Sequence, residues 1–454
     1  MKRRTDCVAV TVSTLVFALL IAAMFPAAGH AQQPPLVPAP PSAVTPDASA
    51  QSPQSIQVQG YTLSPAQAEQ AIAYARARHE LYFIDVVYGF LLLLLLLQLR
   101  VAPLFRDLAS RATDNRFAQT AFFAAMFLLT LDVLSLPTAL WSHRLALQYQ
   151  QSIQGWPSWM ADWAKTETYT VAIGAIVIWI LYTAMRKSPR RWWLYFWVVA
   201  VPLIILGAVA SPLIFDPLFF KFTPLANSQP ALAARIENVV HRAGLEIPES
   251  SMFEMNASSK RKDVNAYATG LGKTKRVVVW DTSIQRMSPD EILFVFGHEM
   301  GHYVLGHVRD GILFSCAVLL IFLYVAYRVL HWMLTRWGEA WSIHGADDLG
   351  SLPVLLLLLS VFGFLFTPIS NAYSRHLEHQ ADQYGLEVIH GLVTDAPIVA
   401  AHAFQVLGEV DLEEPDPSPA VRLWFYNHPP LDERMRFAQT YDPWSRGQTP
   451  EFVK

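Results

Sequence analysis

Six long apolar runs constrain this chain more than any other feature. They lie near 82–99, 118–140, 168–186, 192–214, 311–333 and 352–372. Each is close to the roughly 20 residues a helix needs to cross hydrocarbon. Composition agrees, with 53% hydrophobic and only 16% charged residues, so the chain reads as a multi-span membrane protein rather than a soluble one. A net charge of -3 supplies no basic field for nucleic acid, and no such partner is expected. Cys7 and Cys316 both sit in apolar segments, which argues against a disulfide framework or a cysteine metal site.

The N-terminus, MKRRTDCVAVTVSTLVFALLIAAMFPAAGHAQQ, has basic residues before an apolar stretch and small residues at Gly29 and Ala31. Residues 1–31 therefore read as a signal peptide or an N-terminal anchor. Residues 32–55, rich in Pro, Ala, Ser and Gln, read as a flexible tether. A transmembrane region follows over 56–214, its first span led by the helix formers PAQAEQAIAYARARHELYF. Residues 215–310 have the mixed polarity of a water-facing domain, 311–372 hold two further spans, and 373–454 return to that domain. The total is six to seven spans. Within the polar domain SQPALAARIENVVHRAGL reads as an amphipathic helix, and SMFEM, VNAYATG and KRVVVWDT as strands.

Next comes SPDEILFVFGHEMGHYVLGHV. Ser288, Pro289 and Glu291 form a helix start with a capping box. His298 and His302 are four residues apart and share a face, so both imidazoles can reach one ion. Glu299 is rotated by about 100° from His298, which suits a base beside the ion better than a ligand. Gly301 costs roughly 1 kcal/mol in a helix relative to alanine, but lets something approach closely. The other reading is an accidental polar face near a membrane. A catalytic zinc needs a third protein ligand. Downstream, NAYSRHLEHQADQYGLEV puts Glu378 and Asp382 four apart on what reads as one helix leaving the membrane. Glu378 can ligate, and Asp382 can fix the tautomer of a ligand histidine. A solvated amphipathic face has the same spacing.

HEMGH, two apolar runs, SRHLEHQAD and then NHPPLDERM together resemble the M48 metallopeptidases, in particular the Ste24-type CAAX prenyl protease branch. DPLFFKFTPL and KRKDVNAYATGLGKTKRVVVWDT add to the resemblance in the same order, and it covers most of residues 60–440. It implies a mainly α, chamber-like multi-pass fold with a small α+β zincin-type domain. It also implies one Zn2+ per chain on His298, His302 and Glu378, with Glu299 as general base and Asp382 behind a ligand. His428 of NHPP then steadies the substrate carbonyl or oxyanion, or is simply a turn histidine before two prolines. Asn265 of VNAY marks a strand edge for binding substrate backbone, or an ordinary hairpin. His307 lies off the ligand face and reads as structural, and His376 and His379 flank Glu378 at the wrong angles for the same ion. Asp85 and Asp132, inside apolar runs, either line the chamber or pair with neighbouring helices.

Basic residues set the expected orientation. Arg100, Arg106, Arg111 and Arg116 fill one short loop, and Arg186, Lys187, Arg190 and Arg191 another. The loop at 141–167 between them has only Arg144 and Lys165. With the basic loops in the cytoplasm, the catalytic domain faces the periplasmic side of a bacterial-type inner membrane. The expected activity is zinc-dependent hydrolysis of membrane-associated or exported polypeptides, with a CAAX-type prenyl-peptide protease as the alternative. A third reading, of a different class, is a non-enzymatic scaffold or transporter. The expected partners are a peptide or protein substrate and the bilayer. Oligomeric state, scissile bond and lipid requirement are not legible.

Overall fold

The computed structural model describes residues 60–210, 216–269 and 275–453. The expected leader at 1–31, the tether at 32–55, the end of the run at 192–214 and the turn at 270–273 fall outside the described residues.

The described part of each apolar run lies in a helix, and in most cases the helix is much longer than the run. On the N-terminal side these are α1 (Pro65–Gln98), the short α2 (Val101–Ala112), α3 (Arg116–Gln148), α4 (Trp156–Lys187) and α5 (Trp192–Ala210). Hydropathy marks only the part of a helix that suits lipid, whereas capping chemistry sets its ends. Ser64 begins α1 with a full capping box to Gln67, well before the apolar run at 82. Asn115 begins α3 by accepting from the N–H groups of Phe117 and Ala118 at 2.9 and 3.0 Å.

The water-facing part begins with β1 (Phe222–Pro224), α6 (Pro230–Arg242), β2 (Met252–Met255), β3 (Ala266–Thr269) and β4 (Arg276–Trp280). Helices α7 (Asp281–Arg286) and α8 (Pro289–Val304) follow. Two long helices, α9 (His307–Trp337) and α10 (Leu352–Ile389), carry the chain across the apolar region and back. It ends in α11 (Ala396–Asp411), α12 (Pro419–Phe425) and α13 (Leu431–Thr440). Strands are ordered β1-β2-β4-β3, with β2 and β4 parallel and the outer pairs antiparallel. β1 was not foreseen: three residues with a terminal proline carry too little alternation to read as a strand.

Five helices (α1, α3, α4, α9 and α10) are long and apolar enough to cross a membrane, and Trp192–Gly207 in α5 is a shorter apolar helix. Their outward faces carry large bare side chains, Leu91 at 60%, Ile321 at 60% and Leu365 at 62% exposure. Such belts are untenable in water and natural against lipid. The protein is an integral, multi-pass membrane protein.

Two apolar cores result. One joins the spans through residues such as Phe123, Tyr182, Trp192, Leu330 and Leu352. The other joins the sheet to α6, α8, α10, α11 and α13 through Ile236, Val277, Phe294, Tyr384, Phe404 and Met435. α10 contributes to both, so the helix carrying Glu378 and Asp382 ties them together.

The ends of the spans sort into two sets. Tyr61, just before α1, is buried in the second core and donates to the carbonyl of Glu413 at 3.2 Å. Ile153, between α3 and α4, donates its N–H to Lys260 O at 3.2 Å. At the opposite ends, Arg100 donates to Ala340 O at 3.0 Å and Arg106 to Ser342 O at 3.2 Å. Asp132 on α3 is buried against Glu167 of α4, the neighbouring-helix arrangement of the two considered for it; Asp85 is half-buried on α1.

Candidate metal centre

Ser288 accepts from the N–H of Glu291 at 3.3 Å while Glu291 accepts from the N–H of Ser288 at 2.7 Å, so α8 starts with the expected capping box. Two turns later the helix runs against α10. Close packing of the two depends on glycine. A Cβ on Gly301 would lie 3.0 Å from Tyr384 Cβ and 3.2 Å from Ala381 Cα. A Cβ on Gly385 would lie 3.0 Å from the backbone N of His298. What Gly301 admits is therefore α10, whose near-contact brings Glu378 level with the two histidines.

His298, His302 and Glu378 converge there, all three buried. Nε2 of His302 is 3.2 Å from Nε2 of His298. Glu378 Oε2 is 3.2 Å from His298 Nε2, and Glu378 Oε1 is 3.5 Å from His302 Nε2. A tetrahedral ion with ligand bonds of about 2.0–2.1 Å separates its ligands by about 1.63 times that, or about 3.3–3.4 Å. The three separations bracket this value, and two imidazoles with a carboxylate are a donor set that zinc accepts. The residues fit a divalent metal.

Around these three the remaining residues take distinct positions. Asp382 Oδ1 lies 2.8 Å from His298 Nδ1, and the Arg434 guanidinium grips the same carboxylate at 2.8 and 2.5 Å. Arg434 also lies over the Phe404 ring, 4.4 Å from its centroid. Burial pulls the His298 imidazole down, but Asp382 and Glu378 outweigh it and lift it to about 10. Binding a metal at Nε2 therefore means giving up a proton. Glu299, on the turn of His298, is buried and offers no ligand atom to the trio. Burial pushes its carboxyl above the usual range, against the pull of His298 and His302.

His428 follows α12, with Nε2 2.9 Å from Glu378 Oε2 and Nδ1 3.0 Å from Asn427 Oδ1. Its loop is held by α10: Asn371 donates to Trp424 O at 2.5 Å, and Arg375 donates to Arg422 O at 3.2 Å and to Tyr426 O. Asn265 precedes β3, the sheet-edge strand beside α8. Its N–H donates to Ser283 Oγ at 2.6 Å, its carbonyl accepts from Trp280 N–H at 3.0 Å, and its side-chain oxygen has no hydrogen-bond partner among the described residues. His376 and His379 are exposed and make no part of the trio.

Sequence reasoning missed Arg434 and the contact of His307 with His302. Arg434 lies in the quoted NHPPLDERM, but nothing in an arginine on a polar helix face signals burial. His307 lies with Nδ1 3.0 Å from His302 Nδ1 rather than apart from the site.

A buried His, His and Glu trio with a neighbouring free carboxyl, at the end of a helical membrane bundle, defines a membrane-embedded metalloendopeptidase. The model of peptidase family M48 matches residues 226–442, and that of the CAAX prenyl protease N-terminal region, with five membrane helices, matches 48–221. An uncharacterised metalloprotease, YhfN of Bacillus subtilis, is 33% identical over 83% of this chain and 86% of its own. CAAX prenyl protease 1 of Saccharomyces cerevisiae is 29% identical over 61% of this chain and 62% of its own. The crystal structure of S. mikatae Ste24p shares the fold, with TM-score 0.69 at 23% identity over 82% of this chain and 88% of that one. The chain belongs to peptidase family M48, in its Ste24-type branch.

Proposed function

We propose that His298, His302 and Glu378 hold one zinc ion and that the enzyme cleaves exported or membrane-associated polypeptides on the periplasmic side of a bacterial inner membrane. The observation that carries the metal assignment is the convergence of three buried donor atoms at tetrahedral-edge spacing. A zinc ion there supplies Lewis acidity toward water and a peptide carbonyl.

The protein's own groups do the rest. Glu299 takes a proton from the attacking water and passes it to the leaving amine. Its raised affinity for protons, from burial, suits a group that must hold one between the two transfers. His428 donates from its imidazole to the developing oxyanion. Asp382 accepts from His298 Nδ1–H and so leaves Nε2 free as a donor to the metal. The β3 edge, beginning after Asn265, offers unpaired backbone groups to an extended substrate.

The sidedness rests on charge. Tyr61, the 149–155 loop and the catalytic core lie at one end of the bundle. Arg100, Arg106, Arg111, Arg116, Arg186, Lys187, Arg190 and Arg191 lie at the other, which the positive-inside rule assigns to the cytoplasm. A second reading, cleavage of prenylated CAAX peptides, is favoured by the names of several relatives, the yeast protein among them.

The test is cleavage by the detergent-purified protein of a mixture of unmodified and farnesylated peptides, with and without chelator, beside Glu299→Gln. The variant should keep its zinc and lose about 10²- to 10⁴-fold in kcat. A variant that still turns over at the wild-type rate would remove Glu299 from the mechanism. Exclusive cleavage of farnesylated peptides would replace the substrate proposed here by the CAAX class.

A further inference from the structure

α8 ends at Val304, and the chain turns at Gly306, whose φ of 78° suits glycine alone without strain. This turn folds His307, the first residue of α9, back onto the helix it has just left. Helical spacing had put it off the ligand face, because five residues of continuous helix would carry it there. With the helix broken, the His307 ring meets the His302 ring edge-on, centroids 5.1 Å apart, with the two Nδ1 atoms 3.0 Å from each other. On its far side His307 Nε2 lies 3.1 Å from Oε1 of Gln380, itself two residues past Glu378 on α10. His307 is 2% exposed, so neither nitrogen has water to fall back on.

Only one arrangement of protons makes this row a set of hydrogen bonds and leaves His302 able to bind an ion. Nε2 of His302 points into the trio, so it must keep its lone pair for the metal. A neutral His302 then carries its hydrogen on Nδ1 and donates it to His307 Nδ1. A neutral His307 in turn carries its hydrogen on Nε2 and donates it to the carbonyl oxygen of Gln380, the end of the amide that faces it. The opposite direction, with Gln380 donating, would protonate Nε2 of His302 and remove it as a ligand.

We propose that His307, oriented by Gln380, is a positioning residue that fixes the ring and tautomer of the ligand His302. It does for the second histidine what Asp382 does for His298, with a neutral imidazole in place of a carboxylate. The inference rests on the metallopeptidase reading above.

The experiment is zinc affinity of the full-length, detergent-purified protein, measured by competition with a chromophoric chelator at fixed pH. The thermal midpoint of each chelator-treated protein serves as the check on folding. His307→Phe keeps the ring shape but leaves His302 Nδ1–H buried without an acceptor, and should bind zinc about 10- to 100-fold more weakly. His307→Asn keeps an oxygen near the position of Nδ1 and should recover most of that loss. Gln380→Met, which spares the His302–His307 contact, should weaken zinc binding severalfold, and it keeps the test open if His307→Phe does not fold. Wild-type affinity in folded His307→Phe, or equal losses in the Phe and Asn variants, would overturn the proposal. A wild-type protein that takes up no zinc would instead remove the peptidase reading on which it rests.

Discussion

Two buried carboxyl arrangements in this molecule have opposite surroundings. On α10, beside the proposed metal ligands, Asp382 is 1% exposed and lies between the Arg434 guanidinium and the His298 ring. Five residues along, Glu387 is equally buried and accepts from the backbone N–H groups of Phe452 and Val453 at 2.7 and 2.8 Å. In the membrane bundle, Asp132 and Glu167 are also buried, but they face each other, and among the described residues no basic side chain pairs with either. Burial of a charge is tolerable when donors or a counter-ion replace the lost water, and costly otherwise. The catalytic side meets that condition at Asp382 and at Glu387. The bundle does not meet it at Asp132, so the two places should answer mutation in opposite ways.

The largest effect is expected at Arg434. Arg434→Met strips the counter-ion from a carboxylate that cannot reach water, and removing one partner of a buried pair costs about 3–5 kcal/mol. Asp382→Asn should cost a similar amount by the converse route, because it leaves the guanidinium buried without its anion. The double variant separates stability from function. It removes both charges and should be destabilised by clearly less than the sum of the singles, since the two side chains are in direct contact. Its zinc affinity should nonetheless stay about 10- to 100-fold below wild type, because His298 has lost the carboxylate behind it. Thermal midpoints and chelator competition on the four proteins measure both quantities. Additive midpoint losses would mean that Arg434 and Asp382 are not a charge pair in the folded protein.

How much of this was legible follows the same division. The proposed ligands were readable as a group because each lies on one regular helix: four-residue spacing puts His298 and His302, and again Glu378 and Asp382, on common faces. The capping box at Ser288 and the close approach allowed by Gly301 are local features that sequence states directly. The contact of His307 with His302 was not legible because a single glycine ends the helix between them, and periodicity continues blindly through such a break. Arg434 could not be found, since its partner lies 52 residues away and only the packing of α13 against α10 and α11 buries it. Apolar runs mark less than the full helices for a different reason: hydropathy sees lipid, while α1, begun by a good cap, also takes in AYARARHE, whose helix formers were legible.

The smallest effect is expected in the bundle, where it also tests the comparison most directly. Asp132→Asn keeps the shape of the side chain and its capacity to accept a hydrogen bond, and it removes one of two acidic groups that face each other. If the pair is uncompensated, the change should be neutral or should raise the thermal midpoint by a few degrees, as replacement of a poorly compensated buried acid often does. Zinc affinity and peptide cleavage should stay at wild-type values, because Asp132 lies on α3 among the spans and not on the helices that carry the proposed ligands. A fall in midpoint as large as that of Arg434→Met would mean that the bundle supplies Asp132 with a cation, and the contrast between the two regions would fail. A loss of cleavage at unchanged midpoint and zinc content would fail it in another way, by tying the buried pair on α3 and α4 to turnover.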